Sequence, residues 1–113
     1  MDNCLFCKIL KGEIPSAKVY ENDFVYAFRD INPQAPSHIL VIPRKHVSSL
    51  NEIDALEEKD IAECLLAVRT IAARENLSGG YRVVSNCGAD ACQSVPHLHF
   101  HILGGRQMGE QMA

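Results

Sequence analysis

The chain has 113 residues, of which 47% are hydrophobic and 22% are charged. This composition is typical of a single globular domain, expected over residues 1–113, rather than of a disordered chain. The formal net charge is −3 and basic residues form no run, so we expect no polynucleotide partner. The sequence also has no membrane-length apolar stretch and no signal-peptide pattern, so we expect a cytoplasmic protein with no membrane partner.

The first half of the chain predicts a short helix followed by strands. A helix is predicted at 4–11, ended by Gly12, and strands are predicted at 19–20 and 24–29 with a tight turn between them. Residues 38–42 are almost entirely apolar, which predicts a central strand covered on both faces.

The second half predicts one long helix and two more strands. The helix is predicted at 54–75 with Asp54 as its N-cap, and its core-facing residues repeat at helical spacing: Ile61, Leu65, Val68 and Ala72. Strands are predicted at 81–86 and 95–103. The fold class is therefore α+β, an antiparallel sheet of about five strands with one long helix and a short N-terminal helix.

Three of the five histidines alternate with apolar residues in the segment HLHFHIL at 97–103. In a strand, alternate side chains share a face and lie about 6.5–7 Å apart. Leu98, Phe100 and Ile102 are therefore predicted to enter the core. The three imidazoles, His97, His99 and His101, are predicted to form a row of about 13 Å on the opposite face.

Such a row of imidazoles can serve phosphoryl chemistry, because neutral imidazole has one ring nitrogen free to attack and another able to donate. A backbone carbonyl bonded to the second nitrogen would direct the free one towards phosphorus, and a neighbouring histidine would bind the phosphoryl oxygens. The row could instead bind a metal ion, although its outer members are too far apart to share one, or it could be purely structural. The sequence contains no cluster of acidic residues that would predict a catalytic metal.

Several segments resemble the histidine-triad (HIT) family, and together they cover most of the chain. QSVPHLHFHILGGRQM resembles the family signature of three histidines alternating with apolar residues. CLFCKILKGEIPSAKVYEND, FRDINPQAPSHILVIPRKH and YRVVSNCGADACQSV resemble its opening helix and hairpin, its nucleotide-binding segment and its approach to the triad. The tail GGRQM and the segment SHILVIPRKH most resemble the Hint branch, whose members are nucleoside phosphoramidases. His101 argues against the uridylyltransferase branch, which has glutamine at the third position.

The resemblance implies catalytic roles for residues that match the family pattern. His99 would be the nucleophile that becomes nucleotidylated, His101 would contact the phosphate, and Ser94 with Gln93 would lie beside the leaving group. The alternative for Ser94 is a loop hydroxyl bonded to its own backbone. Cys92 stands where the Hint branch usually has glycine, which leaves substrate preference open.

The resemblance also implies a nucleotide site. Asp30 would accept hydrogen bonds from the ribose, Asn86 would lie on the phosphate or ribose side, and Phe6, Phe28 and Ile31 would form an apolar slot for the base. Each has a simpler alternative. Asp30 could start a turn and Asn86 could end a strand, while the three apolar residues could be ordinary core or helix packing.

The cysteines carry a second pattern. Their odd number, five, predicts free thiols or metal ligands rather than a disulfide framework. Cys4 and Cys7 have the Cys-x-x-Cys spacing with which two thiolates can share zinc, and no strand precedes them as a redox dithiol would require. Resemblance to bacterial-type members implies that His46 and His97 complete a structural zinc site. His97 is thus a candidate both for the triad and for the metal, and two unconnected cysteines remain the alternative.

The resemblance implies a hydrolase that cleaves purine nucleoside phosphoramidates, derivatives of AMP or GMP, through a covalent nucleotidyl-histidine. Dinucleoside polyphosphate hydrolysis and a nucleotide-binding regulatory module with little turnover are the alternatives. A homodimer is also implied, for which Cys64 and Ile71 offer a second apolar edge on the long helix. His38 is expected to support the triad through a hydrogen bond, with a satisfied core histidine as the alternative.

Overall fold

The computed structural model describes residues 3–113, and its helices and strands form an α+β fold. The elements in chain order are α1 Leu5–Leu10, β1 Lys18–Glu21, β2 Val25–Arg29, β3 Ser37–Pro43, a 3-10 helix Leu50–Ala55, α2 Glu58–Arg74, β4 Tyr81–Val84, a 3-10 turn Ala89–Ala91 and β5 Phe100–Gly104. The five strands form one antiparallel sheet in the order β1-β2-β3-β5-β4. The predicted fold class is confirmed.

The middle strand, β3, is buried along its whole length, as its apolar run predicts. Its side chains alternate between two core clusters because successive residues of a strand point to opposite faces. Ile39 and Val41 belong to the cluster that includes buried residues of α2. Leu40 and Ile42 belong to the cluster that includes buried residues of α1. The sheet is therefore covered by α2 on one face and by α1 on the other.

The long helix begins later than predicted. Residues Leu50–Ala55 form a separate 3-10 helix, Leu56 is extended, and α2 begins at Glu58, so Asp54 is not its N-cap. The start is set instead by Glu57, whose backbone N–H donates to Asp60 Oδ2 at 3.1 Å. A carboxylate three residues into a helix satisfies one of the backbone donors that the first turn leaves free.

The core-facing side of α2 also differs from the prediction. Its buried apolar residues are Cys64, Ala67, Val68, Ile71 and Ala72. The side chain of Leu65, predicted to face the core, is 53% exposed. Cys64 and Ile71 are 1% and 0% exposed, so they lie in the core and cannot form an edge for a second subunit.

The last strand is shorter than predicted, because β5 begins at Phe100 rather than at residue 95. Leu98, Phe100 and Ile102 are nevertheless buried in the cluster beneath α2, as their alternation predicts. Pairing of Leu40 with His101 brings the third histidine onto the α1 side of the sheet. Within residues 3–113, no helix combines the length and the apolar character needed to cross a membrane.

Candidate active site and metal centre

The five histidines are divided between two adjacent clusters. His46 and His97 lie with two cysteines, whereas His38, His99 and His101 lie together, with His99 and His101 lining a neighbouring pocket. The prediction of one row of three imidazoles on a strand is therefore wrong. His97 and His99 precede β5, and a turn in which His97 N–H donates to the Val95 carbonyl directs the His97 ring away from the pocket.

The first cluster brings together the four residues predicted as metal ligands: Cys4, Cys7, His46 and His97. Cys4 caps α1, where its Sγ accepts from the Cys7 N–H at 3.4 Å, so both thiols lie at the start of one helix. His46 follows β3, and His97 lies 0% exposed between α1 and the sheet. Three distant parts of the chain therefore meet at this point.

The distances in this cluster fit a tetrahedral ion. His97 Nδ1 lies 3.4 Å from Cys4 Sγ, 3.6 Å from Cys7 Sγ and 3.1 Å from His46 Nδ1, and Cys7 Sγ lies 3.3 Å from His46 Nδ1. Zinc bonds of about 2.0–2.3 Å would place tetrahedral ligands about 3.3–3.8 Å apart, so the three distances to sulfur fall within this range and the two imidazole nitrogens lie slightly closer together. The donor set, two sulfurs and two imidazole nitrogens, is also one that zinc prefers. These residues therefore fit a structural zinc site.

Hydrogen bonding fixes which nitrogen of His97 presents its lone pair to the cluster. Its Nε2–H donates to the Pro43 carbonyl at 3.0 Å, so the lone pair of the neutral ring lies on Nδ1, the atom that faces the cysteines and His46. Burial lowers the pKa of His97 to about 4, which keeps the ring neutral at physiological pH. A neutral imidazole whose other nitrogen is held by a carbonyl is the usual form of a metal-binding histidine.

His99 has the arrangement that a nucleophile requires. Its Nδ1–H donates to the His97 carbonyl at 2.6 Å, which leaves the lone pair on Nε2. Burial lowers the pKa of His99, so this lone pair stays unprotonated near neutral pH. The ring of Phe6 packs edge-on against the imidazole, with centroids 5.1 Å apart. His99 lines the pocket and lies in neither group of potential metal ligands.

His101 has the opposite tautomer because of its neighbour His38. The Gln34 N–H donates to His38 Nδ1 at 3.0 Å, so the neutral His38 ring carries its proton on Nε2. That Nε2–H donates to His101 Nδ1 at 2.8 Å. The proton of His101 is therefore on Nε2. Burial lowers the pKa of His101 to about 4, so the ring is a neutral donor near pH 7.

Asp30 completes this second cluster. Its Oδ1 accepts from the Asn32 N–H at 2.8 Å and its Oδ2 lies 3.4 Å from His38 Nε2. Asp30, His38 and His101 could in principle share a metal ion. The 2.8 Å separation of the two imidazole nitrogens is a hydrogen-bond length, shorter than the roughly 3.3 Å expected between tetrahedral zinc ligands. This cluster is therefore a hydrogen-bonded chain.

The pocket beside these histidines has a volume of ≈ 290 Å³. One part of its lining is apolar: Leu5, Phe6, Ile9, Ile14, Pro15, Phe28, Ile31, Leu40 and Val95. The remaining lining is polar and includes Asp30, Ser94, His99 and His101. Sites for small ligands are usually lined in this way, by apolar side chains with a few convergent polar groups.

Comparison with known proteins assigns the chain to a family. The HIT domain matches residues 11–108. The chain belongs to the HIT domain family. A 14 kDa zinc-binding protein of Zea mays is similar to it, with 52% identity over 107 residues that make up 92% of this chain and 83% of that protein. A purine nucleoside phosphoramidase of Escherichia coli strain K12 is 41% identical over 113 residues, covering 99% of this chain and 95% of the relative.

Solved structures are also similar to this HIT domain. A HIT family hydrolase from Clostridium thermocellum superposes with a TM-score of 0.96 at 41% identity, covering 100% of this chain and 99% of that one. A histidine triad protein from Clostridium difficile has a TM-score of 0.88 at 47% identity, with 98% and 96% of the two chains covered.

The sequence-predicted residues of this HIT domain are not all at the pocket. Gln93 does not line the pocket. Its side chain stabilises the loop before the triad, where Oε1 accepts from the Gly88 N–H at 3.0 Å and Nε2 donates to the carbonyls of Ser48 and Val95. Asn86 is half-buried and is not part of the pocket lining. Cys92 is exposed and has a left-handed backbone (φ 58°), a conformation that glycine adopts more readily.

Several groups of the site were not predicted from the sequence. Leu5 and Ile9 line the pocket, and their spacing of four on α1 could have indicated a shared face. Ser16 also lines it, and no sequence signal pointed to this residue. The carbonyl of Pro43 and the N–H of Gln34, which fix two histidine tautomers, are backbone groups that residue types alone do not reveal.

Proposed function

We propose that this HIT domain hydrolyses purine nucleoside phosphoramidates, with His99 as the nucleophile. The observation that carries the proposal is the pair of fixed tautomers at the pocket: a lone pair on His99 Nε2 and a proton on His101 Nε2. The two ring centroids are 5.1 Å apart, so one phosphoryl group can contact both. The similarity to a purine nucleoside phosphoramidase supports the choice of substrate class.

In the first step, the His99 Nε2 lone pair forms a bond to the α-phosphorus while the phosphorus–nitrogen bond breaks. The electron pair of the broken bond leaves with the amine, which takes up a proton from solvent water. His101 Nε2–H donates to a phosphoryl oxygen and stabilises its charge, and the Ser94 hydroxyl donates to the departing amine. His99 Nδ1–H stays bonded to the His97 carbonyl and stabilises the positive charge that develops on the ring.

In the second step, water attacks the phosphorus of the nucleotidyl-histidine. The phosphorus–Nε2 bond breaks, its electron pair returns to His99, and the attacking water loses a proton to solvent, which balances the proton taken up in the first step and yields the nucleoside monophosphate. Splitting the reaction into two displacements avoids direct attack by water on an amidate with a poor leaving group. Neither step requires a metal at the phosphorus.

The base and ribose would occupy the rest of the pocket. The base would lie against Phe6, Phe28 and Ile31, whose side chains supply a flat apolar surface. The free lone pairs of the Asp30 carboxylate would accept hydrogen bonds from the ribose hydroxyls. A nucleoside derivative would thereby place its α-phosphorus beside His99.

Cleavage of adenosine 5′-phosphoramidate by wild type and by His99→Ala tests the proposal. We expect the substitution to lower kcat by at least about 10³-fold, because it removes the attacking atom, while AMP binding is retained. Turnover of the variant at the wild-type rate would refute the nucleophile assignment. AMP binding by a wild-type protein that shows no turnover would favour the regulatory module.

We further propose that Cys4, Cys7, His46 and His97 bind one structural zinc ion. Their fit to tetrahedral geometry supports this, as does the similarity to a zinc-binding protein. When bound, zinc would tie α1 to the segments before the pocket and add to the folding free energy. The triad member His97 would then be a ligand, not a chemical participant.

Metal analysis of protein purified without added zinc tests this assignment. We expect about one equivalent of zinc in wild type and in Cys87→Ser, whose thiol lies outside the cluster, and almost none in Cys7→Ser. Zinc retained in full by Cys7→Ser would contradict the ligand set.

A further inference from the structure

His97 connects the two clusters through different atoms. Its side chain belongs to the Cys4–Cys7–His46 group, with Nδ1 within 3.6 Å of all three ligand atoms. Its backbone carbonyl accepts the Nδ1–H of His99 at 2.6 Å. The atom that fixes the tautomer of the nucleophile therefore belongs to a residue whose ring lies in the metal centre.

We propose that Cys4, Cys7 and His46 are positioning residues for the nucleophile. A metal ion held by these residues and by His97 orients the His97 carbonyl. This carbonyl in turn keeps the lone pair of His99 on Nε2. The inference deepens the proposed function and rests on it where turnover is measured. It assigns to the metal centre an effect on the chemistry in addition to its effect on folding.

The atoms of the cluster need a cation to remain in place. His97 Nδ1 presents a lone pair, and sulfur and imidazole acceptors surround it at 3.1–3.6 Å. Without a shared cation, only thiol protons or a His46 proton can separate these electron-rich atoms, and such hydrogen bonds are weaker than metal bonds. We therefore expect the His97 ring and its backbone to move when the metal is removed.

A small movement of His97 is sufficient to affect His99. A free neutral imidazole can carry its proton on either nitrogen, so the tautomer of His99 depends on the acceptor at Nδ1. If the His97 carbonyl turns away, a population of His99 carries the proton on Nε2 and has no lone pair facing the pocket. That population cannot attack phosphorus, although it still contacts a bound nucleotide.

Replacement of His46 separates this effect from nucleotide binding. None of the four ligand side chains lines the pocket, although Leu5 and Phe6, which stand between Cys4 and Cys7, do line it. Because His46 lies outside α1, its replacement leaves the sequence of that helix unaltered, and we expect it to lower kcat and leave the affinity for a nucleoside monophosphate almost unchanged. A merely structural role would instead weaken binding and turnover together as the folded fraction decreases.

The test measures the His99 tautomer directly by ¹⁵N NMR of the ring nitrogens. The samples are zinc-loaded wild type, wild type stripped with a chelator and refilled, and His46→Ala, which removes the most exposed ligand. We expect a protonated Nδ1 and an unprotonated Nε2 in the loaded protein, a mixture of tautomers in the stripped protein and in His46→Ala, and recovery after refilling. An unchanged tautomer in folded, stripped protein would overturn the proposal.

Turnover supplies the second readout, with Cys64→Ala as the matched control. Cys64 is buried in the cluster beneath α2 and its substitution should destabilise the fold without affecting the metal centre. We expect His46→Ala to lower kcat by at least about 10-fold with the AMP dissociation constant within about 2-fold, and Cys64→Ala to change neither.

The remaining outcomes are also decisive. Equal losses of kcat in His46→Ala and Cys64→Ala would overturn the proposal, since lower stability would then explain both. Unfolding of both stripped wild type and His46→Ala would overturn it as well, because the metal would then maintain the whole fold. If loaded wild type showed no phosphoramidase turnover, the proposed function would fail while the NMR result would still decide the coupling.

Discussion

At the scale of single residues, hydrogen bonds rather than residue type decide the role of each histidine. His97, His99 and His101 are adjacent in the motif but have their lone pairs on Nδ1, Nε2 and Nδ1 respectively. The partners that fix them are the carbonyls of Pro43 and His97 and the ring of His38. We propose that these three identical side chains thereby serve as a metal ligand, a nucleophile and a hydrogen-bond donor.

His38 offers a prediction at this scale. Replacement by alanine removes the donor to His101 Nδ1, so the proton of His101 is no longer restricted to Nε2. We expect His38→Ala to lower kcat by about 10–100-fold, as substitution of residues that orient catalytic groups usually does. His38→Gln, which can still donate through its amide, should recover part of the loss in the same steady-state assay. Equal activity of both variants and wild type would show that His101 needs no such support.

At the scale of elements, the sequence predicted the strands that have a clear alternation or an unbroken apolar run. The run at 38–42 predicted β3, and alternation predicted the burial of Leu98, Phe100 and Ile102. The start of α2 was missed because Asp54 is a good N-cap by type, whereas the actual start depends on the backbone bond between Glu57 and Asp60.

The direction of the His97 ring could not be predicted, because it depends on a local turn and on contacts between distant segments. The His97 N–H donates to the Val95 carbonyl and the next N–H donates to the Val47 carbonyl, so β5 begins only at Phe100. Resemblance supplied the ligand set of the metal centre. The tautomers became evident only from the distances between atoms.

The exposed face of α2 provides a prediction for the implied homodimer. Leu65 and Leu66 on α2 are 53% and 44% exposed, and Tyr81 and Val83 on the edge strand β4 are both 41% exposed. Apolar surface of this kind is typical of subunit contacts. We propose that this face joins two copies of the chain.

Leu66→Asp should therefore yield a monomer, because it places an uncompensated charge in the contact. The matched control is Leu50→Asp, an exposed leucine on the 3-10 helix outside this face, which should leave the dimer intact. Sedimentation velocity measures the outcome. A dimer that survives Leu66→Asp would place the contact elsewhere.

At the scale of the whole molecule, burial of the histidines makes stability depend on pH. Burial lowers the pKa of His38, His46, His97, His99 and His101, to about 4 for His97 and His101. As the pH falls, the unfolded chain therefore takes up protons near pH 6.5, before the folded protein does. The free energy of unfolding increases with pH wherever the unfolded state binds more protons than the folded state.

We expect the free energy of unfolding to decrease as the pH falls from 7 towards 4, and this histidine contribution to level off below about pH 4. Urea unfolding at constant ionic strength measures the slope. His101→Asn, which lacks one such group, should show a smaller decrease than wild type. A flat profile between pH 7 and 4.5 would mean that the histidines titrate alike in both states.

The central claim is that the ring of His99 forms a bond to phosphorus. Rapid quenching of wild type mixed with an excess of adenosine 5′-phosphoramidate, followed by mass spectrometry of the digested protein, tests it most directly. We predict an AMP adduct on the peptide containing residues 97–103, localised to His99, formed and lost at rates that account for turnover. Turnover at full rate without any adduct, or with an adduct on another residue, would contradict the account.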